Sequence, residues 1–254
     1  MDLTRPTTAD FEITEDSFLG GALTVLQPKA GYRAGMDAVL LGAAIPAVAG
    51  QTILDVGCGV GTAGLCLARR VSDVRVCGLE VQPAIHALAE ENACRNGLSD
   101  RVEFVRGDVR AKGGVLAARS FDHVISNPPY IPEDKGRVSG LAHADKSKRE
   151  SEVDLAEWID AMLYWVRERG YITVIHRADR LHEILGLLSP RIGAIRVCPV
   201  WPKRGRDANR VVVQGRREAK AGITLSPGIV VRLEDDTVSA EMEEIQRHGR
   251  GLVF

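Results

Sequence analysis

No stretch of this 254-residue chain approaches the ~18 uninterrupted apolar residues of a membrane-spanning helix, so a helical membrane protein is set aside. The opening MDLTRPTTADFEITED has neither a basic start nor an apolar run of signal-peptide length, and a soluble, cytoplasmic protein is expected. Cysteine is scarce: Cys58, Cys66, Cys77, Cys94 and Cys198 are odd in number and nowhere take the close paired spacing of a zinc site. That argues for a reducing compartment and against a metal centre. Charge of one sign is missing too, because 33 Lys and Arg face 34 Asp and Glu for a formal net of −1. No overall field would draw in a polyanion, and any such attraction must be local. Within 201–220 seven Lys or Arg stand against two acids, an excess of +5 open either to a nucleic acid or to plain solvation. With 45% hydrophobic and 26% charged residues, neither disorder nor a fibrous class applies.

What is present is an alternation of strand and helix patterns. After a polar lead, 18–26 reads as two short strands around Gly20-Gly21, and 36–44 as a helix stopped near Pro46. Strands are then expected at 52–56, 74–79, 102–105, 121–126 and 171–175, with helices at 62–70, 83–96, 154–167 and 181–188. Pro83 in the first turn and Gly97 as a stop mark the ends of the second of these helices. Segment 133–152 has no apolar periodicity and reads as a long loop of the kind that carries function. A final strand pair, 194–200 and 210–213, is joined by the basic loop without a helix and so is expected to be antiparallel. The tail from Ile223 reads as a short hairpin around Pro227-Gly228, then a helix from Ser239. Alternation of this kind predicts an α/β fold, with a mostly parallel sheet covered by helices on both faces.

Two turns carry the chemistry. Asp55-Val56-Gly57-Cys58-Gly59-Val60-Gly61 lies where the first strand of that alternation gives way to its helix, at the ligand-binding edge of an open α/β sheet. Alone it is ambiguous, since Gly59-Val60-Gly61-Thr62-Ala63-Gly64 also fits the dinucleotide pattern, and Glu80 after the next strand would bind ribose in either class. Gly107-Asp108-Val109 adds a third position: Asp108 can accept the amino hydrogens of an adenine while Val81 and Val109 pack its faces. Ser126-Asn127-Pro128-Pro129-Tyr130, straight after the fourth strand, is the most specific signal. Its two prolines forbid helix and hold a rigid turn. An amide or exocyclic amino nitrogen shares its lone pair with a conjugated system, and becomes nucleophilic once acceptors gather its protons. The side-chain oxygen of Asn127 and the carbonyl of Pro128 are such acceptors, and Tyr130 can stack on the planar group. Cys58 is near this site by position but has no base beside it. His176-Arg177-Ala178-Asp179-Arg180, after the fifth strand, either lines the acceptor side or caps the next helix.

In their order and spacing the three cofactor positions resemble the class I S-adenosylmethionine-dependent methyltransferases. The resemblance implies a Rossmann-like fold: a seven-stranded, mostly parallel sheet with its last strands antiparallel. It assigns Asp55, Gly57, Cys58, Gly59 and Gly61 to the methionine end, Glu80 to the ribose, and Gly107 and Asp108 to adenine with Val81 and Val109 on its faces, and Asn127 facing the cofactor. The motif Asn127-Pro128-Pro129-Tyr130 is similar to that of enzymes that methylate adenine N6 in DNA or RNA, guanine N2 in ribosomal RNA, or a release-factor glutamine. Ile131 fits the last group. Those enzymes, however, carry a larger N-terminal recognition domain than the 50 residues before Gln51. Segment 26–43 resembles the N-terminal signature of bacterial tRNA(Val) adenine-37 N6-methyltransferases, which adds Tyr32, Arg33 and Asp37 to the cofactor pocket. Met36 stands where that family has Thr, and the 133–152 loop departs from its pattern. The implied layout is a hairpin and cap helix over 1–50, a methyltransferase core over 51–217 and a C-terminal extension over 218–254. The implied partner is nucleic acid, tRNA above all, with Lys203, Arg204, Arg206, Arg210, Arg216, Arg217, Lys146, Lys148 and Arg149 as phosphate-binding candidates. A protein or small-molecule methyltransferase and an NAD-binding oxidoreductase remain the alternatives.

Overall fold

The computed structural model describes residues 11–31, 33–112, 114, 116–129 and 153–253. Tyr32, Tyr130, Ile131 and the whole of 133–152 therefore lie outside the described residues, and with them Lys146, Lys148 and Arg149. An antiparallel hairpin opens the chain, β1 (Ile13–Phe18) and β2 (Leu23–Pro28), reversing through a single 3-10 turn at Leu19–Gly21. Helix α1 (Met36–Ala43) follows, and then the alternation begins: β3 (Thr52–Val56), α2 (Thr62–Arg70), β4 (Arg75–Glu80), α3 (Pro83–Arg95), β5 (Val102–Arg106) and β6 (Phe121–Ser126). Beyond 152 come α4 (Leu155–Trp165), β7 (Val166–Arg177), α5 (Leu181–Leu188), β8 (Ile192–Trp201), β9 (Arg210–Arg217), β10 (Thr224–Leu225), β11 (Ile229–Val230) and α6 (Ala240–His248).

The main sheet runs β10-β8-β9-β7-β6-β3-β4-β5, with β11 also on β8. β3 to β7 are parallel, and β9 enters antiparallel between β7 and β8, as expected for strands joined without a helix. Alternate residues of each strand face opposite sides, which separates the core into two layers. Ile53, Val76, Ile125, Ile175 and Val212 pack with α1, α2 and α6; Leu54, Val56, Val124, Val174 and Val213 pack with α4 and α5. The resulting α/β/α sandwich is the Rossmann-like arrangement.

Two expectations need correction. The seven expected strands are present as β3 to β9, and β10 and β11 extend the sheet to nine among the described residues. Those two do not form a hairpin with each other: both run parallel to β8, pairing Thr224 with Arg196 and Ile229 with Val200, so the tail follows the free edge of β8 without reversing. Gly228 allows this at φ +83, where a Cβ would sit 2.3 Å from the carbonyl oxygen of Pro199. The last parallel strand starts at Val166 instead of Tyr171, directly after α4, and a register shift between Phe121 and His123 of β6 absorbs the irregularity.

The hairpin is held over the sheet edge by two asparagines four residues apart, Asn92 of α3 and Asn96 at its C-cap. Asn92 Oδ1 accepts the Leu26 N–H (2.7 Å) and its Nδ2 donates to the Leu26 carbonyl (3.0 Å); Asn96 does the same with Thr24 (3.0 and 2.7 Å). Side-chain amides thus supply the strand partner that β2 lacks on that side. Among the described residues no helix is long and apolar enough to cross a membrane.

Candidate active site

The parallel register decides where the two turns sit. Val56 of β3 pairs with Ser126 of β6, so the glycine turn and the asparagine turn leave neighbouring strands at the same level of the same edge. A hydrogen-bond chain couples them: Ser126 Oγ donates to the Val56 carbonyl (2.7 Å) and accepts from Trp158 Nε1 of α4 (2.7 Å). The same indole lies under Gly57, where a Cβ would come within 2.6 Å of it. Gly57 (φ +67) and Gly61 (φ +86, the N-cap of α2) are in the left-handed region, and the turn is pinned to β4 by Gly57 and Cys58 N–H bonds to the Leu79 carbonyl. At Gly59 (φ +57) a Cβ would point into open space.

Carboxylates surround this turn. Glu80, nearly buried, takes the Gly59 N–H on Oε2 (3.0 Å) and the Gln82 N–H on Oε1 (2.9 Å). Asp55 is 3% exposed, and its Oδ2 has no partner among the described residues. Burial, with Glu80 nearby, pushes the Asp55 carboxyl up to about 7. An orphaned acceptor and two buried acids beside the glycine turn suit a cationic ligand with hydrogen-bond donors, which is what a sulfonium amino acid is. The Cys58 thiol is driven well above its ordinary range by burial, then by Asp55 and Glu80, and it packs towards Gly78 of β4. A thiol held protonated in this way is a poor nucleophile.

Along the same edge, Val81 is an exposed apolar side chain, whereas Val109 is buried in the core layer of α4. Gly107 donates its N–H to the Glu80 carbonyl (3.0 Å). Asp108 is held by Arg110, whose Nη2 is 2.6 Å away, and these hydrogen bonds lower its pKa. Arg33 turns to the hairpin, donating to Thr14 Oγ1 (2.6 Å) and the Pro28 carbonyl (2.8 Å), and pairing with Asp16. Asp37, in the first turn of α1, is paired with Arg210 of β9 at 2.9 Å.

On the other side of the asparagine turn, Pro128, Pro129, Trp158, His176 and Arg180 line a small cleft. His176 is 3% exposed, its pKa pushed down to about 4 by burial and then by Arg180. Its Nδ1 accepts the Arg177 N–H (2.9 Å), so the neutral ring carries its proton on Nε2. His176 lines the cleft, while Arg177 pairs with Asp179 in a 3-10 turn that leads into α5 without a side-chain cap, so among the described residues the expected capping role is not seen. Sequence reasoning missed Trp158, Arg110 and the Arg210–Asp37 pair. Trp158 looks like any apolar position of an amphipathic helix, and 32 residues separate it from Ser126.

Comparison with known proteins agrees with this geometry. The model of the methyltransferase small domain matches residues 34–144. A tRNA1(Val) (adenine(37)-N6)-methyltransferase of Actinobacillus succinogenes is 30% identical over 190 residues, covering 74% of this chain and 78% of the relative. The Porphyromonas gingivalis protein of the same name is 30% identical over 193 residues, covering 68% and 72%. Among solved structures, one described as a predicted O-methyltransferase from Agrobacterium tumefaciens superposes with a TM-score of 0.71 at 22% identity, over 85% of this chain and 98% of its own. At that identity the match speaks for the fold alone.

Proposed function

This chain belongs to the methyltransferase small-domain family of class I S-adenosylmethionine-dependent methyltransferases, and from that premise we propose that it methylates N6 of adenine in tRNA, at position 37 of a tRNA(Val) type. What supports the reading most is the register pairing of Val56 with Ser126, which brings a cofactor turn and an Asn-Pro-Pro turn side by side. The curated relatives named above supply the acceptor.

In this reading Asp55, Gly57, Cys58, Gly59 and Gly61 hold the methionine end, Glu80 the ribose, and Gly107, Asp108, Val81 and Val109 the adenine. Tyr32 and Asp37 close the pocket from 1–50 while Arg33 braces the hairpin, with the core over 51–217 and the extension over 218–254. When bound, S-adenosylmethionine supplies a methyl group on a positively charged sulfur. The chain's own task is to present a nitrogen to it. Asn127 Oδ1 and the Pro128 carbonyl accept the two amino protons, which localises the lone pair and orients it, and Tyr130 stacks on the base. Pro128 is buried, and the neighbouring Ser126 is tied to Val56 and Trp158, so these acceptors stand on a rigid base. No strong base is required, because the proton is lost after the nitrogen is alkylated.

The test is transfer of labelled methyl to separate pools of unmodified tRNA, ribosomal RNA, DNA and protein. Label in tRNA adenine, lost in Asn127→Ala, is expected. Label on a glutamine of a release factor instead would refute the RNA assignment while leaving the methyltransferase intact.

A further inference from the structure

The seven basic residues within 201–220 do not form one surface, because β9 carries them from one edge of the sheet to the other. Arg216 and Arg217 lie at the edge opposite the active site and serve the fold. Arg216 Nε donates to the Arg169 carbonyl (2.8 Å) and its guanidinium sits 5.3 Å from the Tyr171 ring centroid, while Arg217 Nη1 donates to the Leu163 carbonyl (2.5 Å). The β8–β9 loop, 202–209, is at the other end. Arg210 is the last rung, pairing with Arg177 of β7 and Val200 of β8, so everything beyond it projects from the edge that carries the asparagine turn.

That loop is braced on both sides. The Arg204 N–H bonds the Arg232 carbonyl (2.9 Å) and Lys203 pairs with Asp236 (2.8 Å), both from the C-terminal extension. The Arg206 N–H closes a turn on the Lys203 carbonyl (3.0 Å), and the Asn209 carbonyl accepts from Ala178 at the exit of β7 (3.1 Å). Of the loop's three basic side chains Lys203 is neutralised by Asp236, and Arg210 at the start of β9 is neutralised by Asp37. Arg204 and Arg206 are exposed and pair with no carboxylate among the described residues. The neighbouring Arg177 and Arg180 are matched by Asp179 and Glu183. Two uncompensated guanidiniums on a held loop therefore mark this edge. With strands about 4.8 Å apart, the loop's two ends stand roughly 10 and 14 Å across the sheet from the asparagine turn.

We propose that Arg204 and Arg206 form a phosphate-gripping arm that tracks the sugar–phosphate backbone of the RNA acceptor a few nucleotides from the target base, with the C-terminal extension as its brace. The inference rests on the RNA reading above. Guanidinium suits the task, because its fork of donors matches phosphate oxygens and its charge is permanent. Arg216 and Arg217 take no part, although the sequence groups them with the other two.

The experiment measures tRNA binding and methylation by the full chain across salt concentrations for R204A/R206A, for R204K/R206K, and for R75A, an exposed arginine at the opposite edge. Each phosphate contact contributes about 0.7 to 0.9 to the slope of log K against log salt. The double alanine variant should lose about 1.4 to 1.8 from that slope and raise KM for tRNA several-fold, with an unchanged Tm. The double lysine variant should keep most of the slope, and R75A should match wild type. If tRNA is methylated but the slope of R204A/R206A equals wild type, or R75A loses as much, the arm is refuted and the RNA reading stands. If only protein takes label, both fall.

Discussion

Gly57 and Gly59 share a left-handed backbone but differ in what surrounds them, and that difference separates folding from binding. A Cβ at either position carries the steric cost of that region, about 1–2 kcal/mol. At Gly59 nothing lies within 4 Å, so the cost ends there for the empty protein. At Gly57 the Cβ meets the Trp158 ring at 2.6 Å, and the indole is fixed by its bond to Ser126 Oγ. Overpacking of that kind adds about 1–3 kcal/mol. Gly57→Ala should therefore be less stable than Gly59→Ala by about 1–3 kcal/mol, or roughly 2–12 °C in Tm at this chain size. Cofactor binding should show the reverse contrast per unit of stability lost, because the proposed function has the ligand approach the backbone through the open space over Gly59. Unfolding in urea and titration calorimetry with S-adenosylhomocysteine read the two quantities independently. Equal stabilities for the two variants, or wild-type affinity in Gly59→Ala, would show that the turn is not the cradle described here.

Further outcomes follow from the same geometry. Asn127→Ala should lower kcat by about a hundred-fold or more while leaving the dissociation constant of the cofactor nearly unchanged, measured by single-turnover kinetics and calorimetry; a loss confined to KM would contradict it. Trp158→Phe keeps the ring under Gly57 but removes the Nε1 donor to Ser126, and should cost about 1 kcal/mol in urea unfolding, with a larger effect on transfer rate than on cofactor affinity. His123 and His176 have pKa values pushed down to about 4, mainly by burial, against an ordinary 6.5, so the unfolded chain binds their protons more readily. The stability that comes from keeping them neutral is complete above about pH 6.5 and drains away as pH falls towards 4. Asp55, pushed up to about 7 from an ordinary 3.8, acts in the opposite sense: the unfolded chain gives up this proton first, so stability falls as pH rises from 3.8 towards about 7 and is level above it. Comparing His123→Gln with wild type cancels the Asp55 contribution. The variant's Tm should fall less between pH 6.5 and 4, and parallel curves would count against the assignment.

Much of this molecule was legible without coordinates. The strands 52–56 and 121–126 and the helices 62–70 and 181–188 match their expected bounds, because each has a clear period of apolar residues and a glycine, proline or polar stop. The errors cluster where local pattern carries no directional information. A Pro-Gly pair between two short apolar runs reads as a reversal, yet at Pro227-Gly228 the chain only kinks, since the free edge of β8 offers both runs a partner in one direction. Val166 joins a strand although its neighbours Arg167 and Glu168 are charged, because β6 lies beside it to supply hydrogen bonds.

The sequence by itself determined the class of chemistry. Glycines that permit a left-handed turn, a buried acid at a strand end and an Asn-Pro-Pro turn are local features, each bound to its place by covalent geometry. What only the tertiary structure decided is which of these groups face one another and which charges are spent on the fold. Trp158 reaches Gly57 and Ser126 from another helix, Arg33 turns away to the hairpin, Arg110 occupies Asp108, and one antiparallel strand divides a basic run between two opposite edges. Contacts of that kind depend on the stacking of layers and the order of strands in the sheet, and no window of neighbouring residues encodes them.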